Sequence, residues 1–455
     1  MERSMKDQTL DAFVKAFGGP LYDVSVWFAP GRVNLIGEHT DYNGGHVFPC
    51  ALTMGTYAAV RRREDRRLRF YSTGFPEDGV IETSLDELVP EERFRWTNYP
   101  KGVIKMMADH GHPIETGFEM AVCGDIPSGA GLSSSASIEV LTALILCGLY
   151  GDRESGGPVR LFRNNDAGNP NRLRGEIPGK EIFFAAGISR EDIARICQEA
   201  ENVYNGCSCG IMDQFAVTFG KKDHAIFLDT ASLEYETVPV RMDGHAIVIT
   251  NTNVKHKLTD SKYNERRREC EAALSVIRRR CTPELLMSLS AVNTLLTGES
   301  YPTVIRGLCD LDSALVDAMA EKWFQEFPEE ERLKLIRRMR HAASENERCK
   351  QAVRALREGN LTVFGILMNA SHISLRDDYE VTGPELDALA EAAWEVDGCL
   401  GSRMTGGGFG GCTVSIVQND ALERFKEHVA REYRDKTGLE ADFYIAGIGS
   451  GPRKL

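Results

Sequence analysis

The segment Gly124-Asp-Ile-Pro127-Ser-Gly129-Ala130-Gly131-Leu132-Ser133-Ser134-Ser135-Ala-Ser137 combines residue types that suit anion chemistry. It follows a strand-like stretch at 118–124 and opens an apolar run at 138–149. Glycines let the backbone approach a ligand closely and take φ > 0. The first N–H groups of a helix beginning near Leu132 or Ser133 have no partners inside it and sit at the positive end of its dipole. Together these features make an anion site, and three consecutive serines add donors and an oxygen ligand for a metal. The plain alternative is a Gly-Ser turn with an ordinary serine cap. A cap needs one hydroxyl, and this helix begins with three.

Two other segments carry groups that fit the same chemistry. Gly31-Arg32-Val-Asn34-Leu-Ile-Gly37-Glu38-His39-Thr40-Asp41-Tyr42-Asn43 sets polar side chains among glycines. Glu38, His39 and Asp41 supply the donors and acceptors that a polyhydroxylated ligand needs. An ion-paired surface loop is the bland alternative, and a metal site lacks a second His cluster at ligand spacing. In Asn205-Gly-Cys-Ser-Cys-Gly210-Ile-Met-Asp213-Gln-Phe215, Asp213 stands among apolar neighbours, where an unpaired carboxylate is rare. Moving a phosphoryl group to an alcohol needs a group that takes or orients the hydroxyl proton, and cations that neutralise phosphate charge. Asp213 and Arg32 are candidates for those tasks. Two familiar nucleotide motifs are excluded. No G-x-x-x-x-G-K-[ST] occurs, and the G-x-G-x-x-G at Gly406, Gly408 and Gly411 leads into a strand-like run at 412–417, not a helix.

The elements that must hold these residues read as a mixed α+β chain. Strands are expected at 24–29, ending in a turn at Pro30-Gly31, and at 56–63 and 67–72, joined as a hairpin through Glu64-Asp65. Another strand at 118–124 precedes the helix to about Leu149, which is apolar on nearly every side and therefore buried. Residues 151–180 are rich in Gly, Asn, Arg and Pro and read as a surface insertion. A helix capped by Ser189 runs to about Tyr204. Strands follow at 225–228 and 246–251, then a mostly helical stretch at 262–359, whose basic run at 337–340 reads as a solvated face. The end returns to strands at 412–417 and 441–447 around a helix at 421–436. Two lobes are expected, at 1–230 and 231–455, joined somewhere between Gly220 and Asp243.

Composition narrows the class. A chain of 455 residues, 42% hydrophobic and 27% charged, has a globular profile. Its formal charge of −13 argues against a nucleic-acid partner. Twelve scattered cysteines without a C-x-x-C pair read as reduced thiols. No apolar signal segment opens the chain, and the run at 140–150 is too short to span a bilayer, so a cytoplasmic chain without a membrane partner is expected.

Jointly, the segments resemble the galactokinase branch of the kinases of galactose, homoserine, mevalonate and phosphomevalonate, the GHMP kinases. Three motifs carry the likeness in order, from Gly31 to Asn43, from Gly129 to Ala136, and Thr405-Gly-Gly-Gly-Phe-Gly-Gly411. Further matching stretches lie at 210–215, 251–271 and 368–379. The resemblance implies a two-lobed GHMP-kinase-like α+β fold. Its N-terminal lobe would be like ribosomal protein S5, its C-terminal lobe ferredoxin-like, and the active site would lie between them. It implies ATP-dependent phosphorylation of the anomeric hydroxyl of galactose, a step of galactose catabolism by the Leloir pathway, in a monomer using ATP and Mg²⁺. Glu38, His39, Thr40, Asp41, Gly210 and Tyr263 would hold the sugar. Gly129, Ala130, Gly131, Leu132, Ser133, Ser134 and Ser135 would wrap the ATP phosphates, and Trp96 would pack on adenine. Ser135 and Glu201 would hold Mg²⁺. Asp213 would be the base or orienting group, and Arg32 would stabilise transferred charge. The insertion at 151–180 and the approach Asn205-Gly-Cys-Ser-Cys209 depart from the family pattern. An anomeric kinase for galacturonate, N-acetylgalactosamine or arabinose is the nearest alternative. A non-catalytic sugar and ATP sensor is disfavoured by the retained Ser135-Ala136 and Asp213.

Overall fold

The computed structural model describes residues 3–127, 129–151, 188–254, 259–288, 290, 301–302 and 304–455. The expected insertion at 151–180 lies outside them apart from Gly151. The strands are β1 (Ser25–Asn34), β2 (His46–Val47), β3 (Pro49–Arg62), β4 (Arg67–Ser72), β5 (Ile81–Ser84), β6 (Phe118–Gly124), β7 (His224–Asp229), β8 (Tyr235–Pro239), β9 (His245–Asn251), β10 (Cys399–Thr405), β11 (Cys412–Gln418), β12 (Asp442–Ala446) and β13 (Arg453–Lys454). They form a six-stranded sheet in the order β13-β1-β3-β6-β4-β5, a four-stranded sheet β10-β11-β9-β12 and a small sheet β2-β7-β8. The helices used below are α1 (Met5–Phe17), α2 (Asn98–Asp109), α3 (Ser134–Tyr150), α4 (Arg190–Glu199), α5 (Met212–Phe219), α6 (Thr259–Arg280), α7 (Ser313–Trp323), α8 (Glu329–Arg357), α9 (Leu361–Ser374), α10 (Pro384–Trp394) and α11 (Leu422–Thr437). This is the α+β, two-lobed architecture that the motifs imply.

Helix α3 is the axis of the first lobe. Its residues from Ala136 to Cys147 are all buried, because an all-apolar surface has to be covered on every side. It packs on β1 and β3 and against α2, α4 and α5, in a core that includes Trp27, Phe70, Met120, Leu141 and Leu144. In the second lobe, β9 is covered by β11 on one edge and β12 on the other, and α10 lies against α11.

Three expectations need correction. Strand β1 does not stop at Pro30-Gly31. It runs on to Asn34 with a register shift between Pro30 and Arg32, so a β-bulge absorbs the proline and redirects the chain at Arg32. Strands β3 and β4 are not a hairpin, because β6 lies between them, antiparallel to β3 and parallel to β4. Charge explains this order: Arg61 of β3 and Arg69 of β4 both reach Glu119 of β6, at 2.6 and 2.7 Å, with Arg63 at 3.0 Å. The basic run at 337–340 is not wholly solvated, since Arg338 is 1% exposed and is held by Glu269 at 2.7 Å and Glu380 at 2.6 Å. The expected division at 230/231 lies between β7 and β8, which pair with each other, and β7 pairs with β2. The crossing to the second sheet comes at 240–244, and β13 returns the chain to the first sheet beside β1.

All twelve cysteines are free thiols. Among the described residues, no helix is long and apolar enough to cross a membrane. Because Leu144 is fully buried in the α3 core, Leu144→Ala is expected to lower the unfolding free energy by about 2–5 kcal/mol. A urea titration with unchanged slope and lower midpoint is the expected record; an unshifted midpoint would show that α3 is not the axis of this core.

Candidate active site

Arg32, Gly131, Ser133 and Asp213 meet at one point. The Arg32 guanidinium donates from Nε to Asp213 Oδ1 and from Nη2 to Asp213 Oδ2, both at 2.7 Å, and from Nη1 to the Gly131 carbonyl at 2.6 Å. The Ser133 hydroxyl also donates to Asp213 Oδ2. Arg32 arrives from the bulge of β1, Asp213 from the first turn of α5, and Ser133 from the residue before α3. Ser133 is at φ 58 and makes no side-chain cap. Its hydroxyl goes to Asp213, so it is not the ordinary helix cap of the bland reading, and the start of α3 stays open. The carboxylate of Asp213 is a quarter exposed while Arg32 is almost fully buried.

These groups line a cleft of about 470 Å³ that includes residues 129–135, Glu38, His39, Asp41, Glu201, Gly210, Tyr263 and Gly406. Glu38 is 1% exposed. Its Oε1 accepts from the Gly406 N–H at 2.8 Å, the Thr405 hydroxyl at 3.0 Å and Arg403 at 3.4 Å, so much of its capacity secures the glycine motif. His39 is buried, and its Nε2 has no partner. Thr40 is fully buried and donates to the carbonyls of Gly37 at 2.9 Å and His46 at 2.7 Å. It braces the loop and is not among the residues that line the cleft. Asp41 is pushed up to about 7, by burial first and then by the charges of Asp213 and Glu38. Gly210 stands against it; a Cβ there would lie 1.8 Å from Asp41 Oδ2, so only glycine permits this approach. The Tyr263 ring lies 5.7 Å from that of His39 and 5.6 Å from that of Tyr42.

At the other end, Ser135 and Glu201 face each other across a hydrogen bond. Burial, then Asp213, pushes the Glu201 carboxyl up to about 7 against the pull of Ser135 and Gln214. Gln214 Nε2 reaches Glu201 at 2.6 Å and the buried Glu139 at 3.1 Å. A hydroxyl and a carboxylate are hard oxygen donors, and a carboxyl this poorly solvated is stabilised by a cation, so the residues present fit a hard divalent ion such as Mg²⁺. Among the described residues no cluster of three His, Cys, Asp or Glu is arranged to hold a metal ion. Trp96 flanks the cleft: Arg95, Asn98 and Tyr99 line it, while Trp96 packs edge-on to Phe70 and lies parallel to the half-exposed Phe75, centroids 6.4 Å apart.

The second lobe contributes residues that carry no motif. Glu345 of α8 accepts from the backbone N–H groups of Gly37 at 2.9 Å and Glu38 at 3.2 Å, and from Ser371 at 2.6 Å. Burial opposes its charge, yet Arg348, with His341 and Arg403 behind it, holds the carboxyl at about 2. His341 reaches the Glu38 carbonyl at 3.1 Å. Arg403 was findable, since it stands two residues before the glycine motif inside a strand. Glu345 sits on a long polar helix whose sequence offers no such sign. Gly406, at φ 87, brings the motif onto the Gly131 carbonyl.

Known proteins resemble this chain in sequence and in fold. Residues 11–62 match the galactokinase galactose-binding signature, 98–160 and 180–221 the GHMP kinase N-terminal domain, and 352–435 the GHMP kinase C-terminal model. The chain is 48% identical over 433 residues to the galactokinase of Fusobacterium nucleatum, covering 95% of each chain. It is 45% identical to that of Streptococcus suis, covering 99% of this chain and 98% of the other. Lactococcus lactis galactokinase complexed with galactose superposes with a TM-score of 0.82 at 41% identity, covering 99% of this chain and all of that one. A mevalonate kinase at 16% identity, with a TM-score of 0.56 over 93% of this chain and 98% of the other, shares the fold. The chain belongs to the galactokinases of the GHMP kinase family.

Proposed function

We propose that the cleft transfers the terminal phosphoryl group of ATP to the anomeric hydroxyl of galactose, with Asp213 as the group that receives or orients the hydroxyl proton. The observation that carries this reading is the Arg32–Asp213 pair, set where the sugar segment meets the phosphate loop. Asp213 Oδ2 already accepts from Arg32 and Ser133, whereas Oδ1 accepts one donor and keeps a lone pair free. Oδ1 is therefore the atom assigned to the sugar hydroxyl. As that hydroxyl oxygen forms its bond to phosphorus, its proton passes toward Oδ1, and the bond from phosphorus to the bridging oxygen of ADP breaks.

Arg32 holds the carboxylate in register and keeps a positive charge beside the transferring group. The loop of residues 129–135 would wrap the phosphates at the N-terminal end of α3. Glu38, His39, Asp41, Gly210 and Tyr263 make the sugar wall, and Trp96 supports the adenine from beside the cleft. Ser135 and Glu201 would hold Mg²⁺, which when bound neutralises phosphate charge. The same reading takes the protein as a cytoplasmic monomer.

Three outcomes are expected. In an ADP-release assay against a panel of sugars, galactose is the preferred acceptor; preference for galacturonate or N-acetylgalactosamine would overturn the substrate assignment. Asp213→Asn lowers kcat by about 10²–10⁴-fold while calorimetry finds ATP affinity little changed; turnover close to that of the parent would remove Asp213 from this role. Asp41 is raised from 3.8 to about 7 by folding, so it takes up a proton on folding between those values. Its stabilisation is present in acid and lost as pH rises through about 7. Asp41→Asn should therefore melt above the parent at pH 8, with the gap narrowing toward pH 4. A gap independent of pH would contradict the raised carboxyl.

A further inference from the structure

Behind His39 runs a chain of polar groups that none of the assigned roles uses. His39 Nδ1 lies 2.7 Å from the Tyr42 hydroxyl, which lies 2.8 Å from the Tyr379 hydroxyl. The Tyr379 hydroxyl is in turn 3.0 Å from the Cys270 thiol. Asn43 closes the far end, donating from Nδ2 to the Cys270 sulfur at 3.8 Å and to the His39 carbonyl at 2.8 Å. Tyr379 is fully buried, and His39, Asn43 and Cys270 are no more than 4% exposed. His39 lines the cleft, and its second nitrogen, Nε2, is buried without a partner.

Each hydroxyl or thiol link admits two donors, so the chain as a whole admits two proton arrangements. Neutral imidazole nitrogen is the best acceptor in the series and thiol sulfur the poorest. If the Cys270 thiol donates to Tyr379, Tyr379 to Tyr42, and Tyr42 to His39 Nδ1, every donor is used and Asn43 supplies the sulfur. The reverse arrangement stacks two donors on a weak acceptor and leaves the thiol hydrogen idle. The imidazole is neutral in either case, since burial, and then His341 and Arg403, push it down to about 3. With Nδ1 accepting, its one proton belongs on Nε2.

We propose that Tyr42 and Tyr379 are positioning residues that hold His39 as the Nε2–H tautomer, so that His39 presents a donor to a sugar hydroxyl oxygen while Asp41 and Glu38 present acceptors. The sugar part of this inference rests on the galactose reading above; the tautomer part does not. A wall of one fixed donor between fixed acceptors discriminates among hydroxyl patterns, because a mismatched sugar leaves a buried polar atom unpaired. The same rings also touch, with His39 and Tyr379 4.8 Å apart and His341 and Tyr379 4.4 Å apart. Packing alone would survive replacement of Tyr by Phe, and a hydrogen-bond relay would not.

The deciding experiment is ¹⁵N NMR of the full chain labelled at the histidine ring nitrogens, recorded near pH 7.5 without sugar, with His39 assigned by its loss in His39→Gln. The wild type should show Nδ1 unprotonated and Nε2 protonated, and Tyr42→Phe should mix the two tautomers. In kinetics, Tyr42→Phe should raise the galactose KM about tenfold with kcat and the ATP KM little changed, and Tyr379→Phe should move it about threefold in the same direction. A wild-type Nδ1–H tautomer would overturn the proposal, and so would an unmoved tautomer and KM in both variants. The spectrum requires no substrate, so a sugar panel that rejected galactose would leave it standing. Tyr379→Phe and the wild-type spectrum decide the matter if Tyr42→Phe does not fold.

Discussion

The bidentate pair between Arg32 and Asp213 is the contact on which the site depends. A guanidinium as buried as Arg32 is tolerable only when its donors are used, and here Nε, Nη1 and Nη2 all have acceptors. Those acceptors come from two other parts of the chain, 99 and 181 residues away. The bulge in β1, the left-handed Ser133 and the position of α5 are mutually consistent because each serves this one junction. Removing either charge would leave the other desolvated.

A second constraint comes from the distribution of charge. Glu38, Asp41, Glu139, Glu201 and Asp213 crowd one region, and burial first, then the neighbouring carboxylates, push Asp41, Glu139 and Glu201 upward. The arrangement is workable because the acids are separated by task. Glu38 is satisfied by Arg403, Thr405 and Gly406, Asp213 by Arg32 and Ser133, and Glu201 lies where a cation would sit. In the proposed reaction the phosphates would meet the loop at the N-terminal end of α3. Glu345 keeps its charge because Arg348, His341 and Arg403 surround it, and that charge ties the Gly37 and Glu38 amides to the second lobe. The sugar loop is therefore held from the lobe opposite to the one that supplies its sequence.

Much of this was legible in the chain. Strand β6 and helix α3 are local patterns, one a short apolar run after a turn and the other a longer run apolar on every side, and both were found nearly to the residue. The capping box at Ser189 and Asp192 is equally local. A short turn between two strands suggests a hairpin, whereas three arginines converging on Glu119 favour inserting β6. The burial of Arg338 has no local sign, because its partners, Glu269 and Glu380, lie 69 and 42 residues away. Thr40 shares its motif with residues that line the cleft, yet the direction of its hydroxyl depends on the turn between Gly37 and His46.

The sequence by itself determined the kinds of group available: a glycine and serine loop before an apolar helix, an arginine and an aspartate for charge and proton, and a polar segment for a sugar. These follow from residue type and short-range spacing, which act without the rest of the fold. Only the tertiary structure decided which atoms of those groups remain free. Asp213 keeps Oδ1 and not Oδ2, His39 keeps Nε2, and Thr40 keeps nothing for a ligand. Those outcomes depend on hydrogen bonds between residues far apart in the chain, whose directionality and desolvation cost arise only once the fold has brought them together.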